Sequence, residues 1–201
     1  MDDGLRGAHG LVSGRVLTVG LGEGEELRDT DFEECRLERI SLEKARLSGV
    51  SFDECTFVGV DLSMCALLDV RFAECEMRES KALGVSWRGA RGGGLATSSL
   101  RVVDARLDYS SFAGADVRGM SFERCSLREV DFTGADCRGV VLRDCDLSGA
   151  RLVGTDLREA SLVGSAGWAM EVASCRLARL ELDATNALDV VAALGVTVVA
   201  G

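Results

Sequence analysis

The residue types with the widest chemistry in this 201-residue chain are eight cysteines, one histidine and 33 carboxylates. Zinc sites place cysteine and histidine at short spacings such as C-x-x-C. No two cysteines have that spacing, and the single histidine, His9, lies outside the repetitive part of the chain. The sequence also contains no nucleophile paired with a histidine base. It therefore predicts a protein that is not an enzyme and has no metal site and no cofactor.

The carboxylates leave the chain acidic, and this balance restricts its partners. Asp and Glu outnumber Lys and Arg by 33 to 23, so the formal charge is −10 and the pI is about 4.7. Direct binding to nucleic acid needs a basic patch and is disfavoured. No apolar run reaches the roughly 18 residues of a membrane span, and Met1-Asp2-Asp3-Gly4 does not resemble a signal peptide. We expect a cytoplasmic protein that binds neither nucleic acid nor membrane.

Apolar side chains recur at every fifth residue from Phe32 to Leu182, and this repeat determines the fold class. Of 31 positions in that register, 28 are apolar, and the exceptions are Gly92, Thr97 and Gly167. A second column, two residues earlier, holds small side chains. Helices repeat every 3.6 residues and strands every two, so neither explains the period. Two inward residues followed by a turn predict a chain wound into a coil.

The eight cysteines follow the same pattern. Cys137 occupies the large apolar column, and the other seven occupy the small one. We interpret them as apolar fillers of the core, without disulfides in a reducing compartment. The seven are Cys35, Cys55, Cys65, Cys75, Cys125, Cys145 and Cys175.

Units such as Ala115-Asp116-Val117-Arg118-Gly119 resemble those of the pentapeptide-repeat family, over about residues 30 to 182. The resemblance implies an all-β fold, a right-handed quadrilateral β-helix with four pentapeptides per coil and here about eight coils. Residues 20 apart then stack one strand spacing, about 4.8 Å, from each other. Phe32, Phe52 and Phe72 should form one such stack, and Phe112 and Phe132 another.

The outward columns differ between the two halves of the chain. Glu34, Glu54 and Glu74 form a like-charge column, with Glu33 and Asp53 beside it. Residues 1–80 carry 18 acidic and nine basic side chains, which is −9 of the total −10. These five carboxylates are the predicted partner-binding surface, suited to a cationic partner. A merely solubilising face is the alternative.

Further along the chain, an aspartate column and an arginine column lie side by side and predict a stabilising ladder of ion pairs. The columns are Asp116, Asp136 and Asp156, and Arg118, Arg138 and Arg158.

Three segments depart from the repeat and divide the chain. Residues 1–29 are predicted to cap a β-helix of residues 30–184. A Gly-rich stretch at 88–99 is a candidate projecting loop, with candidate residues Arg88, Arg91, Gly92, Gly93 and Gly94. Because the register continues after it, any insertion is a multiple of five.

The last segment, 185–201, is predicted to hold a helix from Asn186 to Leu194, with Asn186 as N-cap and Gly195 as the stop, then a strand over 196–199. Its apolar residues should cap the coil or join a second copy of the chain into a homodimer. The predicted interface residues are Leu188, Val190, Val191, Leu194, Val196 and Val198.

Local wording resembles one branch of the family, the Qnr, AlbG and MfpA group. The matching runs are residues 81–87, 122–125, 131–137 and the tail 194–199. The resemblance implies a homodimeric acidic rod that imitates DNA, binds DNA gyrase or another type II topoisomerase, and modulates or protects it against quinolones or natural gyrase poisons. The alternative is a non-catalytic scaffold with a different protein partner, because fold alone does not fix function.

Overall fold

The chain winds into a right-handed quadrilateral β-helix of about eight coils, as the repeat predicts. The structure, a computed structural model, describes residues 4–91 and 100–199, with only the backbone of Arg91. All strand pairings in these ranges are parallel. Among the described residues, no helix is long and apolar enough to cross a membrane.

The strands are short because each coil turns a corner every five residues. They are β1 (Gly10–Ser13), β2 (Val16–Leu17), β3 (Glu26–Arg28), β4 (Thr30–Glu33), β5 (Arg36–Glu38), β6 (Arg46–Ser48), β7 (Ser51–Asp53), β8 (Thr56–Val58), β9 (Ala66–Leu68), β10 (Val70–Ala73), β11 (Cys75–Arg78), β12 (Ala90–Arg91), β13 (Leu100–Val103), β14 (Ser121–Glu123), β15 (Val141–Arg143), β16 (Arg151–Leu152) and β17 (Ala169–Met170). One sheet runs β1-β4-β7-β10-β12, the next runs β2-β5-β8-β11-β13-β14-β15, and shorter sheets are β3-β6-β9 and β16-β17.

The register between coils is 20 residues up to β12 and changes once in the middle of the rod. Phe32 pairs with Phe52, whereas Met77 pairs with Val102, which is 25 residues further along. Five extra residues are therefore accommodated around 92–99, and the apolar column continues across them. The expected insertion of a multiple of five is confirmed.

The apolar columns form one continuous core. Phe32 and Phe52 stack with ring centroids 5.1 Å apart, Phe52 and Phe72 at 5.4 Å, and Phe112 and Phe132 at 5.1 Å. Both predicted stacks are confirmed. No proline interrupts the ladder, so every strand residue keeps a backbone donor.

The last coil departs from the predicted core. Arg151 pairs with Ala169, only 18 residues away, so Met170 rather than Val172 covers Leu152. Val172 lies in a short 3-10 turn and is only half-buried. The inward position predicted for Val172 is wrong, because the chain takes a shorter path across this side.

The predicted boundary at residue 30 does not mark a change of fold. Strands β1, β2 and β3 lie within the predicted cap, and they pair with β4, β5 and β6 in the ordinary 20-residue register. Leu17 and Leu27 are buried in the common core. The first coil is thus part of the β-helix. Gly22 occupies an apolar position of that coil, which hides the repeat in the sequence.

A single described α-helix, α1 (Ala184–Ala193), follows the last coil. Its N-cap is Asp183 and not the predicted Asn186: the Asp183 carboxylate accepts a hydrogen bond from the Asn186 backbone N–H at 3.0 Å. Asn186 is buried, and its side-chain amide donates to the Ser165 carbonyl at 2.6 Å, which anchors the helix on the last coil. The predicted strand over 196–199 is absent, since no strand is available there for pairing.

Candidate functional site

The side of the rod formed by β4, β7 and β10 carries a dense group of carboxylates. Eight occur on the strands and corners of three successive coils, at residues 29–34, 49–54 and 69–74, where Arg71 is the one basic residue. We name this group the acidic surface. Its members are Asp29, Asp31, Glu33, Glu34, Asp53, Glu54, Asp69 and Glu74.

The corners of the coil place the glutamate column outward. Glu34, Glu54 and Glu74 adopt φ of +52°, +50° and +49°, the left-handed conformation that turns the chain sharply after each strand. All three side chains are exposed. The predicted column therefore exists, stacked at the coil spacing of about 4.8 Å.

The five predicted carboxylates are exposed and without side-chain partners. Glu33 pairs through its backbone with Asp53, so these two stack beside the glutamate column. Within the described ranges, none of the five side chains makes a hydrogen bond or an ion pair. Their charge is thus available to a partner.

Sequence reasoning missed Asp29, Asp31 and Asp69. Asp29 and Asp69 occupy the neighbouring corner, with Gly49 between them, and Asp31 accepts a hydrogen bond from the Ser51 hydroxyl. The 40-residue interval between Asp29 and Asp69 was the available signal. The prediction followed one corner column and its neighbour, whereas the surface spans the whole side.

The charge density of the acidic surface approaches that of duplex DNA. Eight carboxylates and Arg71 give a net charge of −7. Three coils extend about 14 Å along the axis, or about one net charge per 2 Å. Duplex DNA carries roughly one per 1.7 Å. The modest total of −10 conceals this local concentration.

The C-terminal half of the same side is a ladder of ion pairs, as predicted. Ser86 pairs with Ser111, so the following unit, which contains Asp116, returns to the side of β12. The Arg118 guanidinium donates to both oxygens of Asp116, at 2.9 and 2.6 Å. Arg138 and Arg158 bind Asp136 and Asp156 in the same bidentate way.

These hydrogen bonds also lower the pKa of each aspartate. The Arg158 guanidinium, which hydrogen-bonds to Asp156, lowers the pKa of that carboxyl to about 2. The pKa values of Asp116 and Asp136 are likewise lowered, first by Arg118 and Arg138. Contacts between coils add to the ladder, because Arg118 lies 3.6 Å from Asp136. The ladder neutralises its own charge.

The cysteines are free thiols, and seven of the eight are buried. Burial raises the pKa of Cys65 to about 12, and it also raises the pKa of Cys137. A thiol with so high a pKa is a poor nucleophile. The described residues also contain no cluster of three His, Cys, Asp or Glu side chains placed to hold a metal ion.

The candidate loop is only partly visible. Arg88 is exposed in a 3-10 turn (Trp87–Gly89), and the backbone of Arg91 belongs to β12. Gly92, Gly93 and Gly94 lie outside the described residues. The 25-residue register places the additional residues of this coil between β12 and β13.

The C-terminal segment leaves apolar side chains in solvent. Leu188, Leu194, Val196 and Val198 are each about half exposed, and Val190 and Val191 are partly buried. An open groove of about 700 Å³ runs between α1 and the tail. Of the two roles predicted for this segment, only the first residues of α1 cover the coil.

Comparison with known proteins identifies the repeat. A family model described as a pentapeptide repeat region matches residues 25–91, and one described as pentapeptide repeats (8 copies) matches residues 105–136 and 135–165. No curated protein sequence matches significantly. Among solved structures, HetL, a pentapeptide repeat protein involved in heterocyst differentiation regulation from Nostoc sp. strain PCC 7120, is similar with a TM-score of 0.57 and 22% identity over 89% of both chains. A trypsin-treated variant of QnrB1, a plasmid-mediated fluoroquinolone resistance protein, has a TM-score of 0.54 and 21% identity over 95% of this chain and 99% of its own.

Proposed function

Because this chain belongs to the pentapeptide-repeat family, whose β-helix displays outward columns at a fixed spacing, we propose that its acidic surface imitates duplex DNA and binds DNA gyrase or another type II topoisomerase. The observation that carries the proposal is the charge density, about one net negative charge per 2 Å along three coils. A topoisomerase binds DNA through a cationic surface, and a rod of similar density competes for that surface. The fold likeness to QnrB1, a fluoroquinolone resistance protein, supports the same direction.

The protein acts by binding and not by catalysis. Its core is filled with side chains, and its carboxylates lie on a flat outer side and not in a pocket. Binding at the DNA site modulates the enzyme and protects it from quinolones or natural gyrase poisons, which act on the complex with DNA.

A supercoiling assay with purified gyrase, with and without a quinolone, tests this function. We expect the parent protein to change supercoiling or to restore it in the presence of the drug. The variant Glu34→Lys, Glu54→Lys, Glu74→Lys should lose most of the effect, mainly through a slower association rate and a weaker salt dependence.

The matched control reverses three carboxylates at corners of other sides. Glu79, Glu129 and Asp144 have φ between +50° and +54°, so their replacement by Lys changes charge and backbone strain equally. This control should bind gyrase nearly as the parent does. Equal losses in both variants would reduce the acidic surface to a general charge effect. Retention of parent-level binding by the first variant at low salt would make it a solubilising face of a scaffold with another partner.

We propose further that two copies join through the C-terminal segment. The support is the row of half-exposed apolar side chains along the groove of about 700 Å³ beside α1. The double variant Leu188→Glu, Val196→Glu should sediment as a 21.3 kDa monomer, and the parent as a dimer. Val163→Glu, at an exposed valine of the coil, is the control. A parent that sediments as a monomer at micromolar concentration contradicts the dimer.

A further inference from the structure

A groove of about 260 Å³ lies on the C-terminal half of the rod, beside the ladder of ion pairs. Four arginines line it, and Glu159 is the one acidic residue among the described residues of its lining. The arginines are Arg118, Arg138, Arg158 and Arg179. Four cations facing one anion in a groove on an acidic protein is a local reversal of charge.

The ladder fixes three of these arginines and leaves part of each guanidinium available. Arg118, Arg138 and Arg158 each use Nε and Nη2 to bind an aspartate. Their Nη1 groups make no hydrogen bond or ion pair with any described residue. Guanidiniums already held in one orientation lose little conformational freedom when they bind an anion.

The groove exists because the corner column carries glycine here. Gly139 has φ of +67°, and a Cβ built on it would meet nothing within 4 Å. In the acidic surface the corresponding corner positions are Glu34, Glu54 and Glu74. The same architectural position therefore projects a carboxylate in one half of the rod and leaves an opening beside arginines in the other.

We propose that this groove binds a linear oligophosphate anion, with inorganic polyphosphate as the preferred source. The arginines repeat at the coil spacing, so those from Arg118 to Arg179 span about 14 Å along the axis. A linear anion with several charges engages successive guanidiniums at once, and arginine binds phosphate oxygens well. The described lining contains no aromatic side chain to stack a nucleotide base, which favours the inorganic chain over a nucleoside triphosphate.

The overall acidity of the protein does not oppose this site. Residues 81–201 carry 15 acidic and 14 basic side chains, and the excess negative charge lies in residues 1–80. The site is thus independent of the acidic surface and of its proposed partner.

Calorimetric titration of the full chain with inorganic tripolyphosphate, long-chain polyphosphate and ATP tests the proposal. We expect polyphosphate to bind, with an affinity that falls about tenfold or more between roughly 50 and 200 mM salt. ATP should bind no more tightly than tripolyphosphate. Tighter binding of ATP would assign the groove to a nucleotide instead, and no binding of any of the three at the lower salt concentration would overturn the proposal.

Two variants locate the binding. Gly139→Glu fills the groove with a carboxylate, in a conformation that Glu159 already adopts at φ of +62°, and should weaken polyphosphate binding about tenfold or more. Gly134→Glu is the matched control, because Gly134 has φ of +65° and equally open surroundings at another corner. It should change the affinity less than about threefold. Equal effects of the two variants would mean that the anion binds nonspecifically.

Glu159→Gln gives a test in the opposite direction, which remains available if Gly139→Glu does not fold. Glu159 forms an ion pair with Arg179. Its neutralisation frees that guanidinium and removes the carboxylate from the groove, so polyphosphate should bind several-fold more tightly. Glu129→Gln, at an equivalent corner of another side, is the control and should not. No gain for Glu159→Gln, or an equal gain for both, contradicts the site.

Discussion

The two halves of one side of this rod share a backbone and an interior and differ in what they do with charge. In the acidic surface, residues 29–74, carboxylates stack with Arg71 as the one cation among them. In the ladder, residues 116–158, each aspartate is held by the arginine two residues later. The comparison teaches that the repeat separates stability from recognition. The inward columns hold the coil, and the outward columns are free to become a binding surface or a second source of stability.

The largest effect should appear in the interior, where the halves do not differ. Phe52 and Phe132 are fully buried and each stacks on a phenylalanine one coil away. Phe52→Ala and Phe132→Ala should each lower the free energy of unfolding by about 3–5 kcal/mol. Urea unfolding followed by circular dichroism measures both. A difference of more than about 2 kcal/mol would mean that one half dominates the core.

Most of this interior could be predicted from sequence, and its exceptions have physical reasons. A period of five that persists from Phe32 to Leu182 leaves few alternatives, and the phenylalanine stacks follow from the 20-residue spacing. The first coil was missed because Gly22 interrupts the apolar column. Val172 was misplaced because a coil shortened by two residues leaves no local mark in the sequence.

The surface could be predicted only in part. Stacked columns are visible at intervals of 20, which is why the glutamate column and the ladder were found. Asp29 and Asp69 join the same side from another corner, and the sequence does not display how wide a side is. The end of the chain was hardest: the capping of α1 by Asp183 depends on contacts with Gly164 and Ser165 that only the wound coil creates.

Breaking the ladder should turn the C-terminal half into a second acidic surface. In Arg118→Gln, Arg138→Gln, Arg158→Gln, three aspartates remain without their bidentate partners. Partly exposed ion pairs contribute about 0.2–1 kcal/mol each, so the variant should lose about 1–2 kcal/mol of stability and regain part of it in high salt. Thermal unfolding at two salt concentrations measures this.

The control replaces Arg39, Arg71 and Arg151 by Gln. Their side chains make no hydrogen bond or ion pair with described residues, so the net charge changes equally without breaking a pair. Its stability should stay close to that of the parent. Equal losses in both variants would show that net charge, and not the ladder, is responsible.

The ladder should also give the protein a distinct response to acid. Hydrogen bonding to Arg158 lowers the pKa of Asp156 to about 2 from an ordinary 3.8, and the pKa values of Asp116 and Asp136 are lowered too. A lowered pKa in the folded state stabilises the protein above about pH 4, and this contribution is lost as the pH falls through about 2. The variant Asp116→Asn, Asp136→Asn, Asp156→Asn should therefore be less stable than the parent at about pH 5 and nearly equal to it near pH 2. Urea midpoints across this range that run parallel for the two proteins would contradict the ladder's role.

The smallest effect should have the opposite sign and comes from the acidic surface. Glu34, Glu54 and Glu74 lie one coil apart without counter-charges among the described residues, so they repel one another. Their replacement by Gln keeps the shape of each corner and should raise the free energy of unfolding by less than about 1 kcal/mol, a gain that disappears in high salt. The matching variant Glu79→Gln, Glu129→Gln, Asp144→Asn changes as many charges at corners that do not form one column, so it should gain less. The decisive readout is the pair of signs: neutralised carboxylates stabilise the protein here and destabilise it in the ladder. A loss of stability in the Gln variant would reveal partners for these glutamates and remove the ground for assigning their charge to a cationic partner, whereas a small gain together with weaker gyrase binding would show that this half keeps its carboxylates unpaired at a cost to its own stability.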